Sequence, residues 1–145
     1  MSQGQPRIDQ LQKAVHAQLR EFDETCAASE LEGLVHAIAA HEDPNQGRWL
    51  GGAAYRGDAS APGKPPSFVT AAHSIVHQPG VRQRICAALT SGTGDAFDVG
   101  KILVPVLVPL SLAGTIAVPL TPIVIAAIAL VIARMGVAAF CKDAP

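Results

Sequence analysis

The chain has 145 residues and a formal net charge of −1, with 11 Lys and Arg against 12 Asp and Glu. This length is enough to bury the core of one ordinary domain. Because the charges nearly balance and no run of five like charges occurs, the sequence gives no basic surface that would attract nucleic acid, and we expect no nucleic-acid partner.

Two amphipathic helices are predicted before Pro44. In the first, apolar residues recur at spacings of three and four with charged and amide side chains between them. The second follows Ser29 and Glu32, which have the spacing of a capping box. The two segments form either a helical hairpin or one long helix kinked at Ser29. Their apolar positions are Ile8, Leu11, Val15, Leu19 and Phe22 in the first, and Leu31, Leu34, Val35 and Ile38 in the second.

A stretch dense in Gly, Pro, Asn and Asp follows, and it predicts a flexible loop at about residues 42–66. The loop holds the only tryptophan and the only tyrosine of the chain, Trp49 and Tyr55. Large aromatic side chains in a loop are typical of anchors at a bilayer interface or a protein interface. Alternatively, the two rings fold back over the first helices.

Two short helices are predicted at residues 67–77 and 81–89, divided by Pro79 and Gly80. His73 and His77 stand four residues apart, so that both lie on one face of the first of these helices. Two imidazoles at this spacing can share a metal ion, but no acidic residue stands between them as in zinc proteases. We therefore interpret them as an ordinary histidine pair and predict no metal site and no cofactor.

Residues 102–133 carry no charge, which is the most distinctive feature of the sequence. The run exceeds the roughly twenty apolar residues that cross a bilayer as a helix. Pro105 and Pro109 lie in a first segment at about 99–112, which Asp95 is expected to cap. Thr121 and Pro122 have the pattern of a helix start for a second segment that extends to Cys141. The pattern predicts an apolar helical hairpin that inserts into a membrane.

Arg134 is the one charge inside the second segment, and small residues surround it at spacings of three and four. Small residues allow helices to approach closely in lipid, which predicts an oligomer interface. Arg134 would then face a water-filled lumen or a neighbouring subunit. In the alternative, the hairpin is buried in a soluble oligomer and Arg134 marks its exposed edge. The small residues are Ala126, Ala129, Ala133 and Gly136.

The three cysteines, Cys26, Cys86 and Cys141, are odd in number and none belongs to a C-x-x-C pair, which predicts free thiols. Basic residues, among them Lys101 and Lys142, flank the apolar region. Because positive charges favour the cytoplasmic side, we expect a membrane-associated protein with its N-terminal part in the cytoplasm.

The sequence thus predicts an all-α fold with a small helical bundle at residues 1–94 and a C-terminal apolar helical hairpin at 95–145. No nucleophile elbow or phosphate-binding motif is present, so we expect no catalytic residues and no enzyme activity. The predicted function is to anchor, assemble or perforate a lipid bilayer as an oligomer. The alternative is a soluble structural or adaptor subunit whose hairpin is buried in a larger protein complex.

Overall fold

A computed structural model describes residues 4–40, 67–89, 95–116, 118 and 120–142, with the side chains from residue 8 onward. These residues form seven α-helices, and the predicted all-helical fold is confirmed for this part of the chain. The helices are α1 (Gly4–Thr25), α2 (Ala28–Ala39), α3 (Ser67–Val76), α4 (Pro79–Ala88), α5 (Ala96–Leu112), α6 (Pro122–Met135) and α7 (Val137–Phe140).

The apolar stripe of α1 faces inward, where Val15, Leu19 and Phe22 are buried. Cys26 and Ala27 are not helical, so α1 and α2 are two separate helices. The capping box predicted at Ser29 and Glu32 is wrong: Ala27 precedes the helix, and its backbone N–H donates to Oε1 of Glu30 at 2.9 Å. A carboxylate three residues into the helix satisfies this N–H group, which fixes the start of α2.

Proline also sets where α4 and α6 begin. Pro79 was expected to lie between two helices, but it stands in the first turn of α4, where its missing N–H costs no hydrogen bond. Pro122 has the same position in α6, as predicted. The second apolar segment was expected to continue to Cys141, but α6 ends at Met135 because Gly136 adopts φ +90°, a conformation that favours glycine. The short α7 follows.

The core of the molecule is centred on α6. All nine side chains from residues 124–132 are buried, and α6 packs against α1, α2, α3, α5 and α7. A helix that is apolar on all sides requires apolar surroundings around its whole circumference. Both predicted parts of the chain contribute to this single cluster of buried side chains. The predicted boundary at residue 94 lies outside the described residues.

No helix among the described residues combines the length and the apolar character that a membrane span needs. Helix α6, in which Arg134 is the single charged residue, has 14 residues, which at 1.5 Å per residue is about 21 Å.

Candidate interaction surface

The outer face of α5 combines solvent exposure with an absence of charged side chains after Lys101. We define the apolar edge as the uncharged outward stripe of α5 and its end: Ile102, Pro105, Val106, Pro109, Leu112 and Ala113. Pro105, Pro109 and Leu112 follow one another at helical spacings and are all exposed. They therefore form one continuous stripe that extends to the C-terminal end of α5.

Leu112 decides the character of this edge. Its side chain is 76% exposed, and it is the one large hydrophobic residue in the described part of the chain that is classed as exposed. By contrast, the outer face of α1 presents charged residues such as Lys13, Arg20 and Glu24, as is usual for the surface of a helical bundle. The outer face of α5 differs from it in having no charged residue between positions 102 and 113.

Residues on the opposite face of α5 hold it in place. Val99, Leu103, Val104 and Leu107 are fully buried. The first turn is capped as predicted, because the Asp95 carboxylate accepts a hydrogen bond from the Asp98 N–H at 3.0 Å.

Pro105 removes one backbone hydrogen bond from α5, and a side chain of α1 replaces it. Pro105 has no N–H, so the carbonyl of Lys101, four residues earlier, lacks its helical donor. Nε2 of Gln12 donates to this carbonyl at 2.9 Å. This hydrogen bond replaces the one that Pro105 cannot donate inside α5.

The connection that follows α5 is also fixed. Nε2 of Gln78, at the junction of α3 and α4, donates to the carbonyl of Thr115 at 2.8 Å. The N–H of Thr115 in turn donates to the carbonyl of Leu110 at 2.9 Å. The backbone N–H and the carbonyl of Thr115 are therefore both hydrogen-bonded, which ties the turn after α5 to the junction of α3 and α4.

A second notable region is at the end of the chain, where a disulfide joins Cys86 of α4 to Cys141, with Cα atoms 5.8 Å apart. The prediction of free thiols is therefore wrong for these two residues. The reason is that the turn at Gly136 brings the end of the chain back beside α4, a proximity that cysteine spacing does not reveal. The guanidinium of Arg82 donates to the carbonyl of Phe140, from Nε at 3.1 Å, and its Cζ lies 4.6 Å from the centre of the Phe140 ring.

Cys26 keeps a free thiol, as predicted. Burial raises the pKa of this thiol above its ordinary value of 9.0, the contact with the Thr25 hydroxyl lowers it, and the carboxylates of Glu30 and Glu21 raise it. The thiol therefore stays protonated near neutral pH, where it is a poor nucleophile.

The histidine pair completes the C-terminal end of α2. Nε2 of His73 lies 2.9 Å from the carbonyl of Ala40, and Nε2 of His77 lies 3.1 Å from that of Ile38. The two rings are 4.2 Å apart between centroids. Helix ends leave carbonyls without partners, and the imidazole N–H groups supply them here. Among the described residues, no group of three His, Cys, Asp or Glu side chains has the arrangement of a metal site.

The residues predicted to form an oligomer interface are in different environments. Ala126 and Ala129 are fully buried inside the core of their own chain, Ala133 and Gly136 are half-buried, and Arg134 is exposed. Only the last three remain partly open to a second copy, and the oligomer interface stays a prediction. Trp49 and Tyr55, with the predicted loop at 42–66, lie outside the described residues.

The apolar edge was not among the predicted site residues, although the sequence contains a signal for it. After Lys101, α5 has no charged residue on any face, so a helix that packs on one side must expose apolar residues on the other. The disulfide has no comparable signal, because 55 residues separate its cysteines.

Comparison with known proteins adds no family to this description. No family model matches the chain, and neither does any curated protein or solved structure.

Proposed function

We propose that this chain is a small helical protein that anchors at a lipid bilayer through its apolar edge and acts there as an oligomer. The observation that supports the proposal is the exposed, uncharged stripe of Pro105, Pro109 and Leu112. A bilayer interface is a partner that accepts such a stripe without requiring matched polar groups.

The size of the edge explains why an oligomer belongs to the proposal. Complete burial of one leucine side chain contributes about 1.5–3 kcal/mol. One leucine and two prolines therefore give a weak hold on the bilayer. Several copies bound together multiply this hold through their high local concentration. Ala133, Arg134 and Gly136, which are at least partly exposed near the end of α6, are the predicted interface residues available for this association.

Anchoring has more support than perforation. The apolar core of a bilayer is about 30 Å thick, whereas α6 is about 21 Å long. Its nine buried residues are also packed against the other helices of the chain. Perforation would require a second conformation in which α6 leaves α1, α2 and α3, and the hydrophobic contacts with these helices oppose that change.

We further propose that α1 to α4 lie on the cytoplasmic side of the membrane. The support is that the exposed Lys101 and Lys142 flank the apolar region in sequence, and flanking basic residues favour the cytoplasmic side.

The alternative function is that of a structural or adaptor subunit in a larger protein complex. The observation that favours it is that residues 124–132 of α6 are buried among apolar side chains of their own chain, so that their burial does not require lipid. The apolar edge would then be the surface that binds another subunit.

The proposal is tested by flotation of the purified protein with liposomes. We expect the wild type to float with the vesicles and Leu112→Glu to remain in solution, because a carboxylate at the edge must be desolvated on binding. Ala17→Glu, which adds the same charge on the exposed face of α1, is the matched control and should float like the wild type. A wild type that stays in solution but copurifies with a defined subunit through Leu112 would favour the adaptor function.

A further inference from the structure

We propose that the Cys86–Cys141 bond is a redox-controlled clamp, which holds residues 137–142 against α4 when oxidised and releases them when reduced. This inference is independent of the proposed bilayer binding, because it concerns thiol chemistry at the junction of α4 with residues 137–142 and makes no use of the apolar edge.

The clamped segment has little means of holding itself in place. Its helix α7 has four residues, which is too short for an independently stable helix. It is joined to α6 through Gly136, whose φ of +90° interrupts the helix. The position of the segment therefore depends on its contacts with the rest of the chain.

Three of the contacts that fix this position lie near α4, and one of the three is covalent. Phe140 is 2% exposed and inserts into the core. Arg82 binds the Phe140 carbonyl and lies over its ring. The disulfide at Cys86 and Cys141 closes the same junction one turn further along α4. Reduction removes the covalent contact only, so the segment then opens and closes at a rate set by the two non-covalent contacts.

The bond is placed where a reductant can reach it. Cys86 and Cys141 are both half-buried, and the exposed Lys142 follows directly after Cys141. Burial raises the pKa of the Cys26 thiol, which disfavours the thiolate that exchange requires at this residue.

The reaction is exchange with a dithiol. One thiolate of the dithiol attacks a sulfur of the bond, forms a mixed disulfide with that cysteine and expels the other cysteine as a thiolate. The second thiolate of the dithiol then attacks the mixed disulfide and releases the first cysteine. The dithiol leaves as a cyclic disulfide. Its two electrons and two protons are now on the thiols of Cys86 and Cys141.

The test combines disulfide mapping with hydrogen exchange on the full-length protein. Non-reducing peptide mapping should show Cys86 linked to Cys141 in air-oxidised protein and two free thiols after treatment with dithiothreitol. On reduction, we expect amide exchange in residues 137–142 to become at least about ten-fold faster, while exchange in the centre of α6 is unchanged.

Variants separate the bond from its surroundings. The double variant Cys86→Ser and Cys141→Ser should exchange as fast as reduced wild type whether or not the dithiol is present. Cys26→Ser is the matched control and should respond to the dithiol as the wild type does. Arg82→Gln should speed exchange further in reduced protein and have less effect in oxidised protein.

Two results would overturn the clamp. One is a peptide map of the oxidised protein in which Cys86 and Cys141 are not linked. The other is equal exchange of residues 137–142 in oxidised and reduced wild type, a comparison that requires no variant to fold.

Discussion

At the scale of single residues, a side chain of α1 replaces a backbone hydrogen bond that is lost at Pro105 in α5. Pro105 contributes to an outward face without charges, but it removes a helical donor. The side chain of Gln12 replaces that donor from a neighbouring helix. One hydrogen bond thus links α1 to α5 at Lys101, the residue that precedes the apolar edge.

This link predicts a specific pattern of stabilities. Gln12→Ala should lower the free energy of unfolding by about 0.5–1.5 kcal/mol, because the Lys101 carbonyl loses its donor. Pro105→Ala restores an N–H that can reach the same carbonyl, so in that background Gln12→Ala should cost close to nothing. Urea denaturation of the four proteins in this double-mutant cycle measures the difference. An equal cost of Gln12→Ala in both backgrounds would show that the hydrogen bond does not compensate for the proline.

At the scale of elements, the close approach of α1 and α5 depends on Gly100. A Cβ atom at this position would lie 3.1 Å from Cγ1 of Val15 and 3.4 Å from Cδ1 of Leu19. The first distance is shorter than an ordinary van der Waals contact. The missing side chain therefore sets how near the two helices pack.

A larger side chain at this point should separate them. We expect Gly100→Leu to lower the free energy of unfolding by about 1–3 kcal/mol, as overpacking of a dense core does. Gly80 is the matched control, since a Cβ added there meets no atom within 4 Å. Gly80→Leu should cause no loss. Thermal or urea unfolding measures the free energy of unfolding of both variants. An equal decrease in the two variants would mean that α1 and α5 do not meet at Gly100.

At the scale of the whole molecule, the sequence predicts helices better than it predicts their partners. The stripe of α1 and the start of α6 at Pro122 are local patterns, and the structure confirms them. The surroundings of α6 are not local, because a helix apolar on every side has the same sequence in lipid and in a protein core. The pairing of Cys86 with Cys141 also depends on how distant segments fold together.

For the apolar edge, too, one part is visible in the local sequence and another depends on contacts between distant segments. That α5 has no charge after Lys101 is visible in the sequence. Which of its apolar residues face outward depends on the side that packs against α1, α4 and α6. For that reason the small residues of α6 were predicted as an interface, although Ala126 and Ala129 are inside the core.

The central claim is that Leu112 and the apolar edge enter a bilayer, and a fluorophore at this position tests it most directly. The protein for this measurement carries Leu112→Cys and Cys26→Ser, so that an environment-sensitive label attaches at residue 112 while the native disulfide remains. On addition of liposomes, we expect its emission to shift to the blue and to be quenched by spin-labelled lipids, because the label moves from water into the apolar interface. The same label at Ala17→Cys should show neither change. Emission at residue 112 that is unaffected by liposomes would contradict the account.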